Sequence, residues 1–130
     1  MKAKIRTHRD LDVYLRAMTA AMEIFDQSKK FPLEERYSLT DQIRRSSRSV
    51  CTNLAETWRK RRYKGAFISR LSDAGGEAAE TQVWLEFAVK CKYLHRETAL
   101  ALYRTYDAAL RTIVGMINHP ETWIIGSNND

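Results

Sequence analysis

Apolar residues recur along the chain at alternating steps of three and four, the period of helices that bury one side. Leu11, Leu15, Met18, Met22 and Phe25 predict a first helix from about Asp10 to Lys29, with these five as its core stripe. Lys29-Lys30-Phe31-Pro32 ends it, because proline lacks the N–H that a helix interior needs. Ser38 with Asp41 three residues on reads as a capping box. It opens a second helix that runs to about Arg61, whose buried stripe is Leu39, Ile43, Val50, Leu54 and Trp58. The small Ser46 and Ser47 interrupt that stripe and predict close approach of a neighbour. A third helix, about Lys64 to Lys92, repeats most regularly through Phe67, Leu71, Ala74, Ala78, Thr81, Leu85 and Ala88. In its middle, Gly75 and Gly76 each cost about 1 kcal/mol relative to alanine, which implies tight packing or a close backbone contact there. The fourth helix, His95 to Asn118, turns Ala99, Leu102, Tyr106, Ala109, Ile113 and Met116 inward, and His119-Pro120 stops it. Long helices on short connections predict an all-α, antiparallel, up-down-up-down four-helix bundle in a single domain. The bundle is expected over residues 10–118, after a basic arm (1–9) and before a tail (119–130). In that tail Trp123-Ile124-Ile125 is expected to fold back on the bundle end and Ser127 to Asp130 to be disordered.

Composition narrows the chemistry more than the fold. With 130 residues the chain buries roughly two thirds of its unfolded surface, so it needs no disulfide or metal staple. Cys51 and Cys91 are isolated within helical patterns and are expected as reduced, buried thiols. No window reaches the ~20 apolar residues of a membrane span, and nothing reads as a secretion signal, so a cytoplasmic protein with no membrane partner is expected. His8, His95 and His119 sit near helix ends, and no Glu-x-x-His pair, phosphate loop or nucleophile elbow is present. No catalytic residue, metal or cofactor is therefore expected. The best carboxylate cluster is Asp73, Glu77 and Glu80 on one side of the third helix. It reads as a partner for arginines of a neighbouring helix or subunit, ahead of a solvated face or a metal site.

Charge is the most informative feature. The chain carries 22 Lys and Arg against 16 Asp and Glu. From Arg36 to Lys64 there are nine basic residues and only two acidic ones, Asp41 and Glu56. At helical pitch Arg44, Arg48, Arg59 and Arg62 form one stripe, and like charges so aligned call for a counter-charged partner. The corner Trp58-Arg59-Lys60-Arg61-Arg62-Tyr63-Lys64 adds aromatics suited to stacking on unpaired bases. The nucleic-acid reading places Arg44, Arg48, Trp58, Arg59, Lys60, Arg61, Arg62, Tyr63 and Lys64 in contact with RNA or DNA. Its competitors are a solubilising helix end, and a scaffold that docks an acidic protein on the same arginines. A second polar row, Gln42, Arg45, Ser49, Asn53 and Glu56, lies beside the buried face, and an oligomer interface and a solvated ridge describe it equally well.

The segment Phe31 to Glu56 is more than a pattern. Its Phe31-Pro32, Glu34, Tyr37, Leu39-Thr40, Gln42-Ile43-Arg44-Arg45, Ser49 and Asn53-Leu54-Ala55-Glu56 resemble the four-helix-bundle family encoded in the intervening sequences of bacterial 23S rRNA genes. Ala74-Gly75-Gly76-Glu77, Glu80 and Gln82 continue the resemblance, which spans about Asp10 to Asn118. Thr57 stands where that family commonly has Gly, and Cys51 where it often has Pro. The resemblance implies a bundle that assembles into a ring, a homopentamer, without enzymatic activity. It extends to the accessory variability proteins of diversity-generating retroelements, which bind a reverse transcriptase and nucleic acid. By that analogy Gln42, Arg45, Ser49, Asn53 and Glu56, together with Asp73, Glu77 and Glu80, fall at or near subunit contacts.

Overall fold

In the computed structural model, which describes residues 4–126, four helices carry the chain: α1 (Asp12–Ser28), α2 (Leu39–Arg59), α3 (Lys64–Lys90) and α4 (Arg96–Asn118). Each packs on its neighbours in sequence, and α1 closes the bundle against α4, so the helices form a four-membered ring around one core. The seam between α2 and α3 is the most extensive and that between α1 and α4 the least. This is the expected all-α four-helix bundle.

The inner faces of α2, α3 and α4 are the ones their periodicity marks. Val50 and Leu54 of α2, Leu71, Ala74, Ala78 and Ala88 of α3, and Tyr106 of α4 have no exposed surface. Ser46 is buried too, and its hydroxyl meets that of Thr81 at 2.8 Å, so the small residues of α2 admit α3 closely enough for a polar contact in the core. Gln82 ties α3 to α4, donating to the Tyr103 carbonyl at 3.1 Å and to Asp107 Oδ1 at 2.9 Å.

Helix α1 departs from expectation. Leu15, Met18 and Met22 are 51%, 38% and 53% exposed, and Phe25 is half-buried. The buried stripe is instead Val13, Ala17, Ala20, Ala21, Ile24 and Ser28, on the opposite side. Both rows have helical period. The alanine-rich one faces inward because small side chains let α1 lie close on the bundle, while the bulkier row is left outside.

The helix ends also differ from their sequence signals. Ser38 makes no capping bond to its own helix; its hydroxyl donates to Glu35 Oε1 at 2.6 Å. Glu35 does the capping, accepting from the Leu39 N–H at 3.3 Å and, through its other oxygen, from the Tyr93 hydroxyl at 2.9 Å. The Ser38 hydroxyl first, then Tyr93 and the Leu39 N–H, hold the Glu35 carboxyl below its ordinary range, and the same contact pushes Tyr93 up to about 12. Helix α3 stops at Lys90, short of the expected Lys92. Tyr93 and Lys92 donate back to the Ala88 and Val89 carbonyls, and Lys92 takes the left-handed conformation (φ 66°) that glycine adopts most cheaply.

Gly76 shows no close approach within the chain, since a Cβ there would meet nothing, and at Gly75 it would make only ordinary contacts with Ile113 and Leu110. Gly76→Ala and Lys92→Gly are each expected to stabilise the protein by roughly 0.5–1 kcal/mol in urea unfolding, the first by helix propensity and the second by relieving backbone strain. Of the two thiols, Cys51 is buried as expected, and burial pushes it up to about 11. Cys91 is exposed at the helix end rather than buried. A thiol reagent at about pH 8 is expected to titrate Cys91 in the native protein and Cys51 only after denaturation.

The tail folds back. Trp123 and Ile124 pack partly against the core, and the Ile125 N–H donates to the Arg61 carbonyl at 2.9 Å. The residues from Ser127 onward, expected to be disordered, lie outside the described residues.

Candidate nucleic-acid interface

Helix α2 has three sides. One is buried, one borders α3, and one turns outward beside α1; the arginine stripe runs along the last. Near its start the stripe meets Phe25 of α1. The guanidinium carbons of Arg44 and Arg48 lie 4.8 and 5.7 Å from the Phe25 ring centroid, and the Lys29 ammonium lies 4.7 Å from it. Ser28 Oγ accepts from Arg44 Nε at 2.7 Å. One aromatic ring and one hydroxyl thus fix a cluster of three cations, each attracted to the ring's negative face. Within it only Lys29 has a carboxylate neighbour, the exposed Asp26 at 3.5 Å.

At the other end of α2 the corner residues divide. Arg59, Lys60, Arg62 and Tyr63 are exposed and Lys64 is half-buried. Among the described residues Arg44, Arg45, Arg48, Arg59 and Arg62 have no ion-pair partner. Trp58 is different: it is 8% exposed, and the Arg61 guanidinium stacks on its ring at 3.4 Å. Arg61 Nε also donates to the Trp58 carbonyl at 2.9 Å. Burial, and then the charge of Arg59, lowers the Arg61 pKa. Trp58 is therefore a core residue with a covered face, and Arg61 is its cover and the anchor for Ile125. Neither fits the base-stacking and phosphate roles expected of them. The contrary signal was present in the sequence, since Trp58 also completes the buried stripe of α2.

The polar row and the acidic cluster come together on the side facing α3. Gln42, Arg45, Ser49, Asn53 and Glu56 line a shallow groove whose far wall is Asp73, Glu77 and Glu80, with Gly76 between them. Asn53 is nearly buried, its amide donating to the Ser49 carbonyl at 3.0 Å and hydroxyl at 3.2 Å. Arg70 bridges the walls, 3.3 Å from Glu56 and 3.5 Å from Asp73. Glu80 accepts from the Trp84 indole N–H at 3.2 Å. The basic partner of this cluster within the chain is thus Arg70 of α3 itself, not an arginine of α2. Among the described residues no group of His, Cys, Asp and Glu is arranged to hold a metal ion, and no helix is long and apolar enough to cross a membrane.

Sequence reasoning missed Phe25, Ser28 and Lys29 as the seat of the arginines, and Arg70 as the bridge. Arg70 had a detectable signal, its position one turn before Asp73. Phe25 had none, because its relation to Arg44 depends on how α1 is rotated against α2.

Comparison with known proteins agrees with this fold. The model of the 23S rRNA-intervening sequence protein family matches residues 9–115. A solved structure from Bacteroides thetaiotaomicron, described as a protein with unknown function from the S23 ribosomal protein family, superposes with a TM-score of 0.73. Its sequence is 25% identical, and the match covers 82% of this chain and 95% of that one. No curated protein matches the chain.

Proposed function

The chain belongs to the 23S rRNA-intervening sequence protein family, and from that membership we propose a non-enzymatic, self-associating bundle that binds RNA or DNA through the outer side of α2 and the corner after it. The observation that carries the reading is the row of unpaired cations, Arg44, Arg48, Arg59 and Arg62, on one side of a rigid helix. Uncompensated like charges repel, and a polyanion relieves that repulsion while its own counterions are released. Lys60 and Lys64 extend the row, and Tyr63 is its accessible aromatic.

Self-association, as a homopentamer, rests on the resemblance and is favoured by the solvent-facing Leu15, Met18 and Met22, beside Thr105 and Ala108 of α4. Apolar rows of this kind on a soluble surface mark protein contacts, and joining several basic surfaces multiplies weak phosphate contacts into avidity. A scaffold docking an acidic or reverse-transcriptase-like partner uses the same arginines and is the competing reading.

Fluorescence anisotropy with nuclease-treated, salt-washed protein separates the two. Nucleic-acid binding predicts sub-micromolar affinity that falls steeply and linearly with log salt. Absence of binding near physiological salt contradicts it and transfers the arginines to a protein partner.

A further inference from the structure

The basic stripe is not continuous. Its cations gather in two patches on α2: Arg44 and Arg48 with Lys29 around Phe25, and Arg59 and Arg62 with Lys64 at the corner. Between them the same side of the helix carries Thr52 and Ala55, which are uncharged. At about 1.5 Å per residue the gap is roughly 15–25 Å of straight, rigid axis. A single strand following the stripe would lose its phosphate contacts over that gap.

Accessible aromatics are sparse here as well. Proteins that take single strands without sequence preference combine a basic groove with rows of stacking rings. Here Trp58 is covered by Arg61, Phe25 is enclosed by its cations, and the open rings Tyr37 and Tyr63 stand at opposite ends of α2. A duplex has different requirements. Its phosphates line the two edges of each groove, and a major groove about 12 Å wide with a backbone on either side sets them on the scale of this gap.

We infer that the nucleic acid taken by this surface is double-stranded, with one backbone held by Lys29, Arg44 and Arg48, the other by Arg59, Arg62 and Lys64, and Thr52 and Ala55 facing the groove between. Arg44 is the best fixed of the contacts, because Ser28 holds its Nε while its two terminal nitrogens stay free for phosphate oxygens. The inference rests on the nucleic-acid reading above and narrows it to one class of ligand.

Labelled RNA and DNA duplexes of a few helical turns, and an unstructured single strand of equal length, are titrated by anisotropy with the full chain. The expected result is duplex affinity at least about tenfold above that of the single strand. Arg48→Gln and the double change Arg59→Gln/Arg62→Gln should each weaken duplex binding about tenfold or more, and lower the log–log salt slope by about one and two respectively. These exposed side chains have no partner in the fold, so circular dichroism of the variants should match the parent. A single strand binding as tightly as duplex, or an unchanged affinity when either patch is removed, overturns the duplex assignment while leaving nucleic-acid binding intact. Absence of binding to all three ligands overturns both.

Discussion

Replacing Arg48, Arg59 and Arg62 together by glutamine is expected to weaken nucleic-acid binding about 100- to 1,000-fold near 0.1 M salt, while shifting the melting temperature by less than about 3 °C. All three guanidinium groups are exposed and unpaired among the described residues, so nothing in the fold depends on them. Each charge-assisted phosphate contact contributes on the order of 1–1.5 kcal/mol at moderate salt, and three give the stated range. Anisotropy reads the affinity and thermal unfolding reads the stability. Arg61→Gln is the informative contrast. It uncovers Trp58 at the end of the bundle, so its principal effect falls on stability and on the docking of the tail at Ile125. A triple variant that unfolds, or one that binds as well as the parent, contradicts the separation between binding arginines and a structural one.

In the core, Phe67→Ala is expected to cost about 3–5 kcal/mol in urea unfolding. Phe67 is 1% exposed, at the start of α3 where that helix enters the bundle. Close-packed surroundings relax only partly into the space a ring leaves, so a cavity adds to the lost transfer energy. Against a total stability of ~5–15 kcal/mol, such a loss removes a large fraction of the folded state's margin. Tyr106→Phe should behave in the opposite way although its side chain is just as buried. Its hydroxyl is buried without a hydrogen-bond partner among the described residues. Removing it takes away an uncompensated desolvation of about 1 kcal/mol or more and leaves the ring in place. The variant is therefore expected to equal or exceed the parent in stability.

How much of this was legible in the sequence depended on whether a helix offered one apolar row or two. Helices α2, α3 and α4 offer one each, and Ile43, Leu71 and Ile113 are all buried where the period puts them. Helix α1 offers two, and periodicity alone cannot rank Leu15-Met18-Met22 against Ala17-Ala21-Ile24. The choice is made by steric fit to α2 and α4, which favours small side chains. The capping box failed for a related reason. Ser38 and Asp41 have the right spacing, but Glu35 competes for the Ser38 hydroxyl and satisfies the first turn of α2 itself.

For the candidate interface, the charges were legible and their partition was not. Net charge and helical pitch suffice to align Arg44, Arg48, Arg59 and Arg62. Which arginines are free and which are structural is decided by neighbours distant in sequence: Phe25 and Ser28 for Arg44, and the Trp58 ring with the returning tail for Arg61. The acidic cluster shows the same limit, since its arginine lies on its own helix rather than across the groove.

Photo-crosslinking of the intact protein to labelled nucleic acid, followed by mass-spectrometric mapping of the adducts, tests most directly whether the outer side of α2 is the binding surface. Adducts are expected on the peptides that carry Lys29, Arg48 and the Arg59 to Lys64 corner, with Tyr63 prominent among them, and they should disappear as salt is raised. Adducts concentrated on the exposed Leu15, Met18 and Met22 side of α1 or in the Glu77 and Glu80 groove, or none at low salt, would contradict it.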